Sequence, residues 1–257
     1  MELGNGFAGG HAPWVMAAAF AVFFLAGLVK GVVGLGLPTL SMALLALLVA
    51  PPLAAAWLVV PSLVTNIWQL RPWPSLPSMT GRLAGLLLGV CGGTLLAALL
   101  LGAPSGSWAT AALGWVLLAY ALWSLSGAQA RIPASVHRWL GPLVGLLTGA
   151  ISAATGVFVV PAVPYLQALG LQRDALIQAM GLSFTVSTLA LAVALVLNDS
   201  YPLRAAGESL LLLAPALLGM WAGQHLRQAM SPTLFRRCFL LGLALLGLHM
   251  AWRPWLN

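Results

Sequence analysis

Carboxylates are nearly missing from this chain: four acidic side chains stand among 257 residues, against eleven lysines and arginines. Charged residues of either sign make up only 6% of it, too few to clothe a soluble domain of this length in polar side chains. Asp174, Asp199 and Glu208 flank loops and none lies mid-run, which argues against a cation pump or a Na⁺ site built on buried acids. The two cysteines, Cys91 and Cys238, sit in apolar runs with no CxxC or metal-ligand spacing; they read as inert thiols, and no metal is expected. There is no P-loop, no HExxH and no nucleophile beside a base, so the chain reads as a non-enzyme without a cofactor. A basic tract is missing as well. The net charge of +7 and pI near 10.8 come from arginines scattered in ones and twos at the ends of apolar runs, which is how membrane topology uses them; no nucleic acid is expected. The opening residues, MELGNGFAGGHAPW, lack the basic leader and cleavage site of a signal peptide, so the first apolar run is expected to stay.

What the chain has in excess is apolar surface. Hydrophobic residues make up 61% of it, and its mean hydropathy is +1.00. About 20 such residues in a row span a bilayer as helix, and the runs are continuous Leu, Ala, Gly and Val rather than alternating as a barrel strand would be. The fold class is therefore an all-α polytopic membrane protein, with the lipid bilayer as its solvent. Apolar runs cover 14–29, 40–49, 53–69, 83–101 and 108–125, then 140–151, 157–169, 174–197, 209–226 and the stretch to 252. The most polar segment, 126–138, divides them into a first half (1–125) and a second half (139–257), with 126–138 as a cytoplasmic linker. Each half is expected to hold an interrupted helix pair, either re-entrant or two spans, followed by three full transmembrane helices.

The organising stretch is AGLVKGVVGLGLPTLS, 26–41, where Gly27, Gly31, Gly34 and Gly36 weaken the helix and Pro38 lacks an N–H. Backbone broken at membrane depth is tolerated only where it is buried or lines a cavity. The single charge beside the break is Lys30. One reading makes it a snorkelling lysine at an interface; the other makes it the cation of an anion site. The second half repeats the device with SAATG at 152–156. GLVKG (27–31) lies over GLLTG (145–149), Thr65 over Thr185, and Gly85, Gly89 and Gly93 over Pro215, Gly219 and Gly223. Neutral donors near the breaks, joined by backbone N–H groups of Gly34, Gly36 and Gly156, form the candidate site: Thr39, Ser41, Thr65, Asn66, Ser152, Thr155, Thr185 and Ser187. For any one hydroxyl the competing reading is helix–helix glue or back-bonding to the preceding turn. His225 is a candidate proton relay, with an interfacial histidine as the plainer alternative.

Orientation follows from the arginines. If each interrupted pair enters and leaves on one side, the loops with Arg71 and Arg82, Arg131 and Arg138, Arg173, and Arg227, Arg236 and Arg237 share a side, and only Arg204 and Arg253 fall opposite. The positive-inside rule makes that side cytoplasmic and puts both termini outside. The two halves then face opposite ways, an inverted repeat of the kind many secondary transporters use, with substrate between broken helices.

KGVVGLGLPTLSMALLALL, VPSLVTNIWQ and GAISAATGVFVVPAVPYL together resemble the TauE/SafE family, also called TSUP, of sulfite and organosulfonate exporters. The resemblance runs by element order from about Ala21 to Leu248 and implies transport of sulfite, sulfoacetate, thiosulfate or related organic anions across a bacterial inner membrane. The family's second-half glycine cluster is reduced here to ATG, 154–156, and Cys91 and Cys238 do not look like the cysteines of the thiosulfate-importing branch. The expected function is an exporter of a small sulfur-containing or organic oxyanion by alternating access. A proton-coupled importer, a non-transporting membrane scaffold and a homodimeric assembly stay open as alternatives.

Overall fold

The structure is a computed structural model that describes residues 12–103, 106–127, 132–229 and 231–252, without the side chains of residues 134, 135 and 232. The tip of the 102–107 loop, both chain ends, Arg131 and Arg253, and the middle of the expected linker lie outside the described residues. The described residues fold into helices and contain no strand. In chain order these are α1 (Pro13–Val33), α2 (Leu37–Leu45), α3 (Pro51–Trp68), a single 3-10 turn (Trp73–Ser75), α4 (Leu76–Leu101) and α5 (Gly106–Ser126). The same pattern then recurs as α6 (Ala134–Thr155), α7 (Ala162–Ala168), α8 (Arg173–Leu197), α9 (Leu203–Ala229) and α10 (Pro232–Trp252). Seven stretches among the described residues are long and apolar enough to cross a membrane: α1, α3, the 3-10 turn with α4, α5, α8, α9 and α10. The protein is a multi-pass membrane protein. α6 has 22 residues but opens on His137 and Arg138, which lowers its hydropathy.

The breaks fall where the glycines are. Gly34 takes the left-handed conformation at φ 81° and returns its N–H to the Lys30 carbonyl at 2.8 Å, ending α1; Gly36, at φ 112°, and Pro38 then start α2. Gly156 ends α6 in the same way, at φ 70°, with its N–H on the Ser152 carbonyl. At nine and seven residues, α2 and α7 are too short to span. Each interrupted pair is thus one long helix and a half-helix.

Side-chain contacts fix the helix directions. Lys30 meets Thr65 and Asn66, and the Gly34 carbonyl takes Gln69, so α1 and α3 run together. Asn66 meets Thr188 while the Leu70 carbonyl takes Gln178, so α3 and α8 run opposite. Ser75 meets Gln178 and the Ala98 carbonyl takes Asn198, so α4 runs with α8. The glycine faces complete the set. A methyl on Gly27 would strike the Ala216 carbonyl and the Met220 nitrogen, and one on Gly31 the Met220 carbonyl and the Gln224 nitrogen. Gly145 stands in the same relation to Leu86 and Val90, and Gly149 to Val90 and Thr94. Hence α1 runs with α9 and α6 with α4, both packed backbone to backbone. So α1, α3 and α9 point one way and α4, α6 and α8 the other, which makes the repeat inverted.

This correspondence also vindicates laying 27–31 over 145–149 and the α4 glycines over α9. The α6 cap nevertheless comes one turn later than the overlay sets it: Lys30 matches Thr148, and Gly34 matches Ser152.

The described arginines other than Arg204 gather at one end of the bundle, where α1, α3 and α9 finish and α4, α6, α8 and α10 begin. Arg204 sits at the other end on Glu208. Outward faces carry Trp14, Trp115, Trp139, Trp221, Leu88, Leu99 and Leu245, all exposed, as lipid-facing surface requires.

Candidate functional site

Lys30 does not snorkel. Its side chain is 3% exposed and turns inward across α3, where the ammonium donates to Thr65 Oγ1 at 3.1 Å and to Asn66 Oδ1. Thr65 in turn donates to the Pro61 carbonyl at 2.7 Å, and Asn66 Nδ2 donates to Thr188 Oγ1 at 3.3 Å. Thr188 is anchored by its own bond to the Phe184 carbonyl at 2.7 Å. One cation from α1 therefore heads a run of neutral polar groups drawn from α3 and α8, where two elements of the first half meet one of the second. Among the described residues no carboxylate pairs with it, the one ion pair being Arg204–Glu208 at 3.0 Å. A buried ammonium without a counter-ion is costly to hold, and a negatively charged guest offsets that cost.

Several buried hydroxyls on the helices near the two breaks have no protein partner. Thr39 and Ser41 on α2, Ser62 on α3, Ser152 on α6, and Ser183 and Ser187 on α8 are buried with unsatisfied side-chain oxygens. Ser62 precedes Asn66 by one turn and Ser183 precedes Ser187 by one turn, so each pair shares a helix face. Most membrane serines and threonines bond back to their own helix; these six do not.

The other candidates fall as follows. Thr155 bonds back to the Ile151 carbonyl and caps Val157 N–H, holding the second break. Gly34 and Gly36 shape the first break, and Gln69 Nε2 satisfies the freed Gly34 carbonyl at 2.8 Å. Gly156 packs on Met42 of α2, bringing the second break against the first half-helix. Thr185 is half-buried and bonds to its own Gly181 carbonyl, so it does not join Lys30. The residue that joins is Thr188, almost one turn further along α8, because α3 and α8 cross at Asn66 rather than at Thr65. The polar pattern on α8 contains Thr188, but only the crossing point singles it out. His225 is exposed, bonded to the Trp221 carbonyl at 2.9 Å and set against the Trp221 ring; no hydrogen bond links it to the Lys30 cluster.

The model of the sulfite exporter TauE/SafE family matches residues 19–250. The chain belongs to the TauE/SafE family. No curated protein and no solved structure gives a match to set beside it. This TauE/SafE protein is accordingly a membrane transporter of the anion-exporter type, from a family of transporters rather than enzymes.

A second feature sits at the arginine end. A cleft of about 280 Å³ opens beside the α1 cap, walled by Val32, Val33 and Leu35 and by residues of α7, α8, α9 and α10. Lys30 itself is not on its wall. The cleft reaches Ile177 and Met180 on α8, two turns short of Thr188.

Towards the opposite end, α3 and α9 are tied together. Pro61 removes the N–H that would serve the Trp57 carbonyl, and Ser209 on α9 donates to that carbonyl at 2.8 Å while accepting Val60 N–H at 3.1 Å. Trp57 Nε1 also donates to Glu208 at 2.8 Å, and Glu208 holds Arg204.

Proposed function

We propose that this TauE/SafE protein exports a small oxyanion, sulfite or an organosulfonate, which binds between the two breaks with Lys30 as its counter-charge. The observation that carries the proposal is the buried Lys30 cluster at the junction of the two halves, which no carboxylate enters among the described residues; unpartnered Ser62 and Ser187 lie on the same two helices, α3 and α8. Asn66, Thr65 and Thr188 orient the ammonium, and the hydroxyls of Ser62, Ser187 and Ser152 supply donors to the anion's remaining oxygens. The halves would alternate about this seam, exposing it to one side of the membrane and then the other.

Orientation follows from the same charges. The arginine end is assigned to the cytoplasm of a bacterial inner-membrane protein, with both termini outside. Export then needs no coupling ion, since one negative charge moving outward releases about 2.3 kcal/mol per 100 mV of interior-negative potential.

Reconstituted into liposomes, the wild-type chain should carry sulfite down its gradient, and Lys30→Ala should abolish that flux while keeping its helical spectrum and monodispersity. Normal flux through Lys30→Ala would remove Lys30 from the site.

A further inference from the structure

The cleft at the arginine end is lined by Arg173 from the start of α8, Arg227 from the end of α9 and Arg236 from the start of α10. Gln167 and Thr233 add two neutral donors, and among the described residues no carboxylate lines the wall. Asp174, though next to Arg173 in the chain, is not part of it. No described ion pair engages any of the three guanidinium groups. The rest of the wall is aliphatic: Val32, Leu35, Leu176, Ile177 and Met180. The positive-inside rule accounts for arginines at this end of the bundle, and the fold brings three of them, from separate helices, to one cleft, where like charges repel. They focus a positive potential into a concave, half-apolar space.

We propose that this cleft is a second anion site, separate from Lys30, that takes an oxyanion head carrying a short apolar body. The guanidinium forks and the Gln167 and Thr233 donors hold the head, and the aliphatic wall takes the body. A bare sulfite would leave that apolar wall bare, so an alkyl-bearing anion binds here more tightly. The site lies beside the α1 cap, at the arginine end of the bundle. The same chemistry is offered by a free organic anion in water and by the phosphodiester of an anionic lipid.

The test uses the full chain carrying Lys30→Ala, which leaves the seam without its cation. In nanodiscs of pure phosphatidylcholine, calorimetric titration with butanesulfonate should give one saturable site, with sulfite at least tenfold weaker. Adding Arg227→Gln or Arg236→Gln should weaken butanesulfonate tenfold or more, and Arg227→Lys or Arg236→Lys should restore most of it. Repeating the titration in discs containing phosphatidylglycerol separates the sources. Loss of butanesulfonate binding there means a lipid headgroup occupies the cleft; unchanged binding assigns it to soluble anions. The proposal is overturned if Lys30→Ala discs bind no butanesulfonate. It is equally overturned if the glutamine variants bind it undiminished with the fold intact. Flux data on the wild-type chain bear only on the Lys30 site, so either proposal can fail alone.

Discussion

Gly92 and Gly93 are neighbours on α4 with opposite fates on substitution by alanine. A methyl on Gly93 would lie 2.1 Å from the Leu146 carbonyl oxygen and 2.8 Å from the Leu146 Cα, both backbone atoms of α6. Ordinary contact begins near 3.4 Å, so α4 and α6 must part by 3.4 − 2.1 = 1.3 Å at that point. Backbone cannot rotate away as a side-chain tip would. The joint is also tight on both sides of Gly93, since Gly89 and Gly149 make equally close approaches. Overpacking of this sort costs about 1–3 kcal/mol even where side chains can adjust. Gly92 meets nothing within 4 Å, and Gly92→Ala gains up to about 1 kcal/mol of helix propensity. The propensity gain is common to both alanines, so the two variants should differ by the overpacking cost, about 1–3 kcal/mol, with Gly93→Ala the weaker. Reversible unfolding in mixed micelles, followed by circular dichroism and tryptophan fluorescence, measures the gap. Equal midpoints and slopes for the two alanines would refute the backbone-to-backbone joint between α4 and α6, and with it one leg of the inverted repeat.

Two further outcomes are expected. Ser209→Ala leaves the Trp57 carbonyl and the Val60 N–H without a partner beside Pro61, and should cost about 1–3 kcal/mol in the same unfolding assay; Ser209→Thr should recover most of it, and an unchanged Ser209→Ala would count against the tie. Lys30→Met removes an uncompensated buried charge and should leave stability unchanged or raised. It should also remove the sulfite stabilisation due to the seam, about 2.7 kcal/mol at one hundred times that site's dissociation constant; a Lys30→Met protein that keeps the full wild-type response to sulfite would reverse the assignment.

Composition alone was enough for the fold class, because so few charges cannot cover a soluble surface and the apolar runs are of bilayer length. The breaks were legible for a local reason: Gly34, Gly36, Pro38 and Gly156 act on their own backbone, whatever surrounds them. Lys30 stood out because a lone cation beside a break is rare in any apolar chain. The sequence could not decide whether Lys30 reached the interface or turned inward, since its distance along the helix fits both. Only the packing of α3 against α1 decided that, by placing Thr65 and Asn66 within reach of the ammonium. Thr188 was likewise hidden, because the α3–α8 crossing point is set by contacts between segments far apart in the chain. The three arginines of the cleft are far apart in sequence and converge only because α8 and α10 begin where α9 finishes. Local chemistry writes the breaks and the spans, and long-range packing chooses which polar groups meet.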